Sequence, residues 1–201
     1  QYYRRAATDG FQLGVVYGNI ADEYVNLGQE SEAVAYYHRA LALAPDDETI
    51  IEGLAGCYVA ANEMDKSVEY FTDFVEKNPY SRAGWYYLGA SLMEENLYEK
   101  AIDAFEYSLA IDEKYALAYI SMAEAYRELA QFSKAVQALQ DSLPYIDDKA
   151  AIYYNIGTIY FERNIFPSAE VYYKYAINED PYFADALMAM ARCCAEMNDY
   201  S

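Results

Sequence analysis

The chain has 201 residues and a net charge of −19 at pH 7. That balance argues against a nucleic-acid partner, whose binding depends on Lys and Arg neutralising phosphates. No run of about twenty apolar residues is present to span a bilayer, and the three cysteines form no evident disulfide framework.

The chain repeats every 34 residues: Pro45 and Pro79 are one period apart, and Pro181 lies three periods further on. A fixed period of this length predicts stacked copies of one small unit. Residues 1–13 are predicted to be the second helix of an incomplete unit plus a connection, because Tyr3, Ala6 and Phe11 fall in register with later second helices. Complete units are predicted at 14–47, 48–81, 82–115, 116–149 and 150–183. Residues 184–201 are read as the first helix of a further unit that is cut short.

In each unit the fourth residue is bulky (Tyr17, Ile51, Trp85, Tyr119, Tyr153), as is the seventh (Ile20, Leu54, Leu88, Met122, Ile156). The eighth is small: Ala21, Ala55, Gly89, Ala123 and Gly157. Steps of three and four residues place these on one stripe of a helix. A second helix follows, with Ala33, Ser67, Ala101, Ala135 and Ala169 at position 20 and Tyr37, Phe71, Phe105, Leu139 and Tyr173 at position 24. Between the helices stand Gly28, Asn62, Asn96, Ala130 and Asn164. Gly and Asn accept the left-handed backbone that ends a helix, so Ala130 predicts strain or a different turn. Pro at position 32 disfavours helix in the residue before it and closes the second helix.

Bulk at positions 4, 7, 11 and 24 against small residues at 8, 20 and 27 lets two helices approach closely. This pattern resembles the tetratricopeptide repeat family. Arg82 to Glu113 carries Trp85, Leu88, Gly89, Ala101 and Phe105, and the fifth unit carries Tyr153, Ile156, Gly157, Tyr160, Ala169, Tyr173, Ala176 and Pro181. Phe74 departs at a small position, and Glu113 and Asp147 stand where the family has Pro. The resemblance implies an all-α, right-handed solenoid of antiparallel helix pairs.

It also implies that first helices line a concave face, with side chains at positions 2, 5, 6, 9, 12 and 13. Mapped onto this chain, those positions include Tyr86, Tyr87, Met93, Leu117, Ile120, Tyr154 and Phe161, which the repeat core is not expected to need. Asn155 shares this face. So do the acids Asp22, Glu52, Glu94, Glu124, Glu128, Glu162, Asp185 and Glu196, against the bases Arg127 and Arg192. Tyr86, Tyr87, Met93, Leu117, Ile120, Glu124, Arg127, Tyr154, Asn155, Phe161 and Glu162 are therefore the candidate peptide-binding residues. No window carries the Lys, Asn and Arg set with which chaperone-binding members of that family hold a C-terminal carboxylate.

Chemistry is not expected. The single His38 sits where the family faces solvent, and no Gly-rich phosphate loop, nucleophile elbow or metal motif occurs. Cys57, Cys193 and Cys194 are read as free thiols, which favours a reducing, cytoplasmic setting. The expectation is a non-enzymatic scaffold, without cofactor or metal, that binds a protein segment with apolar anchors and basic flanks. The alternative is a structural or oligomerising segment of a larger enzyme or secretion component, self-associating through its truncated ends.

Overall fold

The computed structural model describes the backbone of residues 2–199 and the side chains of residues 12–197. Eleven α-helices follow one another among the described residues: α1 Tyr2–Asn26, α2 Glu30–Leu41, α3 Glu48–Ala61, α4 Met64–Lys77, α5 Arg82–Glu94, α6 Tyr98–Ile111, α7 Ala116–Glu128, α8 Phe132–Ser142, α9 Ala150–Glu162, α10 Phe166–Glu179 and α11 Ala184–Asp199. They form two compact units, Gln1–Glu113 and Lys114–Ser201. In the first, α1/α2, α3/α4 and α5/α6 are helix pairs, with α2 packing on α3 and α4 on α5. In the second, α7/α8 and α9/α10 are pairs, with α8 packing on α9 and α10 on α11.

The turn inside each pair has one construction throughout. Gly28, Asn62, Asn96, Ala130 and Asn164 all have φ between 54° and 68°. At the residue after each left-handed one, the N–H of Gln29, Glu63, Leu97, Gln131 and Ile165 bonds back to the carbonyl of Tyr24, Tyr58, Leu92, Tyr126 and Tyr160 at 2.8–3.0 Å. This closes the last turn of each first helix and satisfies carbonyls that would otherwise have no partner. Ala130 therefore makes the same turn as its neighbours rather than a different one, and its Cβ bears the steric cost of the left-handed backbone.

Bulk meets small residues as the period requires. The Phe105 ring lies where a Cβ on Gly89 would come within 2.6 Å, and the Tyr173 ring within 2.7 Å of one on Gly157. Phe71, Phe105, Leu54 and Ile156 are fully buried. Where Ser replaces Ala at the close contacts, its hydroxyl finds a partner: Ser67 and Ser91 share a 2.7 Å bond, and Ser108 donates to the Arg82 carbonyl at 3.0 Å. Phe74, the large residue at a small position, is accommodated by Gly84, whose missing Cβ would lie 2.8 Å from its ring.

Three expectations are corrected. The backbone of α1 runs unbroken from Tyr2 to Asn26, where the period predicts a connection before Gly14; the side chains of Tyr3, Ala6 and Phe11 lie outside the described residues. The period expects Leu143 to lie in the second helix, as the equivalent Leu41, Val75, Leu109 and Ile177 do, but the second helix of the fourth unit stops at Ser142 and a 3₁₀ turn follows over Leu143–Tyr145. Pro144, which offers no N–H to continue the ladder, explains that stop. Ala83, which at position 2 of the third unit falls on the expected concave face, is buried instead.

Candidate functional site

In the first unit the expected residues sit on α5. Tyr86, Tyr87 and Met93 are half-buried rather than free of the core. The Tyr87 ring packs on Phe71 at 6.1 Å and meets Tyr86 edge-on at 5.0 Å, while Tyr86 lies 5.7 Å from Phe105. Each ring thus contributes to inter-helix packing and keeps only part of its surface for a partner. Asp22 accepts a 2.5 Å hydrogen bond from the Tyr37 hydroxyl, across from Gly53, where a Cβ would collide with that hydroxyl. Burial and the Asp22 carboxylate hold the Tyr37 phenol well above its ordinary pKa. The acid count on this face therefore overstates its free charge, since one carboxylate is tied to the core.

The second unit gathers most of the expected residues. Leu117 is 50% exposed and Ile120 half-buried on α7. Arg127, near the end of α7, places one guanidinium nitrogen 2.9 and 3.0 Å from the two carboxylate oxygens of Glu162 on α9. Tyr154 lies between Tyr173 at 5.9 Å and Phe183 at 5.3 Å. Phe161 meets Phe166 edge-on at 5.5 Å, and the Arg192 guanidinium sits 5.6 Å over its ring. Both rings rest on a buried cluster of Phe166, Ala169, Tyr173 and Cys193, which corrects the expectation that the core does without them. Asn155 is half-buried beside them.

The electrostatics of this second face are one-sided. Of its two cations, Arg127 pairs with Glu162, while Arg192 lies over the Phe161 ring and keeps its charge. Glu124, Glu128, Asp185 and Glu196 are exposed, and none of the four forms an ion pair among the described residues. Met188 on α11 adds apolar surface at 59% exposure.

The remaining reactive groups are structural. His38 is half-buried, not solvent-facing: its ring stacks on Tyr70 at 4.4 Å, and Nε2 is 3.0 Å from the Tyr58 hydroxyl. Burial lowers its pKa. Burial likewise raises Cys57 to about 11, which keeps the thiol protonated and unreactive at neutral pH. All three cysteines are free, Cys57 and Cys193 being buried. Among the described residues, no group of three His, Cys, Asp or Glu side chains could hold a metal ion. No described helix is long and apolar enough to cross a membrane.

Comparison with known proteins settles what the turns and close contacts imply. The tetratricopeptide repeat family matches residues 26–87 and 92–156, more than half of the chain. The chain belongs to the tetratricopeptide repeat family. Proteins of this family act as protein-interaction scaffolds and are in general not catalytic. Among its relatives, a peroxisomal targeting signal receptor from Kluyveromyces lactis is 30% identical over 108 residues, 54% of this chain and 19% of the receptor. The chain thus spans about a fifth of that protein's length. Among solved structures, MamA is similar with a TM-score of 0.69 and 22% identity over 85% of this chain and 93% of that one. YrrB, described as a tetratricopeptide repeat protein with an unusual peptide-binding site, has a TM-score of 0.65 and 18% identity over 94% and 97% of the two chains. Identities this low relate the fold alone.

Proposed function

We propose that the first-helix face of the second unit binds a protein segment that carries apolar anchors flanked by Lys or Arg. One observation carries this reading: Arg127 is paired with Glu162 within the molecule, while Glu124, Glu128, Asp185 and Glu196 are exposed beside Leu117 and Met188 and form no ion pair among the described residues, which leaves an acidic excess over Arg192. A basic segment would recover Coulomb energy from the acids and bury the apolar side chains at the same time. Tyr154, Asn155 and Phe161 would supply the floor, already held by their packing on Tyr173 and Phe166. Tyr86, Tyr87 and Met93 would offer a separate apolar contact on the first unit. The peptide binding named for YrrB and the receptor role named for the Kluyveromyces lactis relative are consistent with such a scaffold.

Substitution of Tyr154 or Phe161 is a poor test, because each supports the core. Leu117 and Met188 are better targets, being largely exposed. A fluorescent capped peptide, Arg-Lys-Phe-Leu-Lys-Arg, is titrated with the chain and followed by anisotropy. The double variant Leu117→Ser/Met188→Ser should weaken binding about tenfold while helicity stays the same. Equal binding by both proteins would remove the reading.

The alternative, a self-associating structural segment, rests on the exposed Leu187 and Met188 of α11. Sedimentation equilibrium distinguishes the two: a monomer over the working concentration range leaves the peptide-binding reading in place.

A further inference from the structure

The second unit has another recess, away from the first-helix face, where the turn of α7/α8 lies beside the turn of α9/α10. Its volume is about 360 Å³. Buried Val136 and Ile159 form an apolar floor, with Phe132 and Ile165 at the sides. Lys134 and Arg163 stand at the rim. No Asp or Glu lines it, although the chain carries a net charge of −19. By contrast, three other recesses are lined by Glu23, by Asp46, Glu48 and Asp112, and by Asp22 and Asp47.

The two cations are also uncommitted. Lys134 and Arg163 are exposed, and neither forms an ion pair among the described residues; each instead leans on an aromatic ring. The Lys134 ammonium is 5.2 Å from the Tyr126 ring centroid, and the Arg163 guanidinium 4.6 Å from that of Phe132. These cation–π contacts hold the charges near the recess without neutralising them. No side chain caps the N-terminus of α8, which opens at the same place, so its positive end adds to the field.

Ala130 stands at the mouth of this recess. Its φ of 54° is the conformation that Gly or Asn takes at every equivalent turn, and it lines this recess. An Asn here would relieve the backbone but would place a polar side chain at the mouth.

We propose that this recess is a second docking site, for a protein segment in which an apolar side chain is flanked by Asp or Glu. The apolar side chain enters over Val136 and Ile159, and the carboxylates pair with Lys134 and Arg163. Its ligand has the opposite charge to that expected on the first-helix face, so the two sites take different segments and fail independently.

The test uses the isotope-labelled chain and two capped peptides, Asp-Glu-Leu-Glu-Asp and Lys-Lys-Leu-Lys-Lys, followed by amide chemical shifts. The acidic peptide should shift resonances of residues 130–136 and 159–165, and the basic one should leave them in place. Lys134→Glu/Arg163→Glu, both on the exposed rim, should weaken the acidic peptide at least about tenfold. Ala130→Asn should raise the melting midpoint yet weaken binding, whereas Ala130→Gly should raise it and leave binding intact. The proposal is overturned if the acidic peptide leaves these resonances unmoved, if the basic peptide moves them equally, or if the charge-reversed variant binds as well as the parent.

Discussion

Replacement of Ala130 by Gly isolates one backbone term. An L-residue with a Cβ loses about 1–2 kcal/mol in the left-handed region. Glycine removes that cost but brings a more flexible unfolded chain, which takes back about 0.4–1 kcal/mol. The net gain is then about 0.5–1 kcal/mol. The equivalent Gly28 has open space where a Cβ would sit, and Ala130 is itself exposed, so little packing is lost with the methyl group. For a chain of this size the gain corresponds to a rise of about 1–4 °C in the melting midpoint. Thermal and urea unfolding followed by circular dichroism at the helical band measure it. Asn62→Ala, which installs the Ala130 arrangement in another turn, should shift the midpoint by a similar amount in the opposite direction. A midpoint that is unchanged or lower for Ala130→Gly, together with an unaffected Asn62→Ala, would refute the assignment of strain to this turn.

Three further outcomes are expected. Leu54→Ala empties a fully buried position and should cost about 2–5 kcal/mol in urea unfolding. Gly84→Ala drives a Cβ to within 2.8 Å of the Phe74 ring and should cost about 1–3 kcal/mol; the penalty should largely vanish in a Phe74→Ala background, as a double-mutant cycle would reveal. His38 has a pKa lowered from 6.5 by burial, so below that value the unfolded chain binds more protons than the folded one. Stability should therefore fall as the pH drops from about 6.5 towards the depressed folded pKa. The parent should lose more over that interval than His38→Gln, and an NMR titration of His38 should give the low value directly.

The fold was legible because its rules are local and repeated. One left-handed residue, one back-bonded turn and one large-against-small contact recur every 34 residues, and each leaves a residue type in the sequence. The exceptions are compensated by residues outside the period. Gly84 makes room for Phe74, and Pro144 ends α8 early; neither follows from a position-by-position match. The candidate site was legible in its acids and in the exposure of Leu117. Its aromatics were not, because a residue at a groove position can also reach the next second helix, as Tyr154 does with Tyr173 and Phe161 with Phe166. His38 illustrates the same limit: its neighbours Tyr58 and Tyr70 come from two other helices, and no spacing within α2 announces them. The pairing of Arg127 with Glu162 becomes visible only once two first helices are set side by side.

Charge reversal on the second unit tests the central claim most directly. The exposed acids Glu124 and Glu128 are both replaced by Lys, and anisotropy is measured for the Arg-Lys-Phe-Leu-Lys-Arg peptide at low and high salt. The parent chain should bind the peptide with an affinity that falls as salt rises, and the variant should lose most of that affinity and most of the salt dependence. Binding that survives the reversal, or that never depended on salt, would contradict the reading of this face as a receptor for basic, apolar-anchored segments.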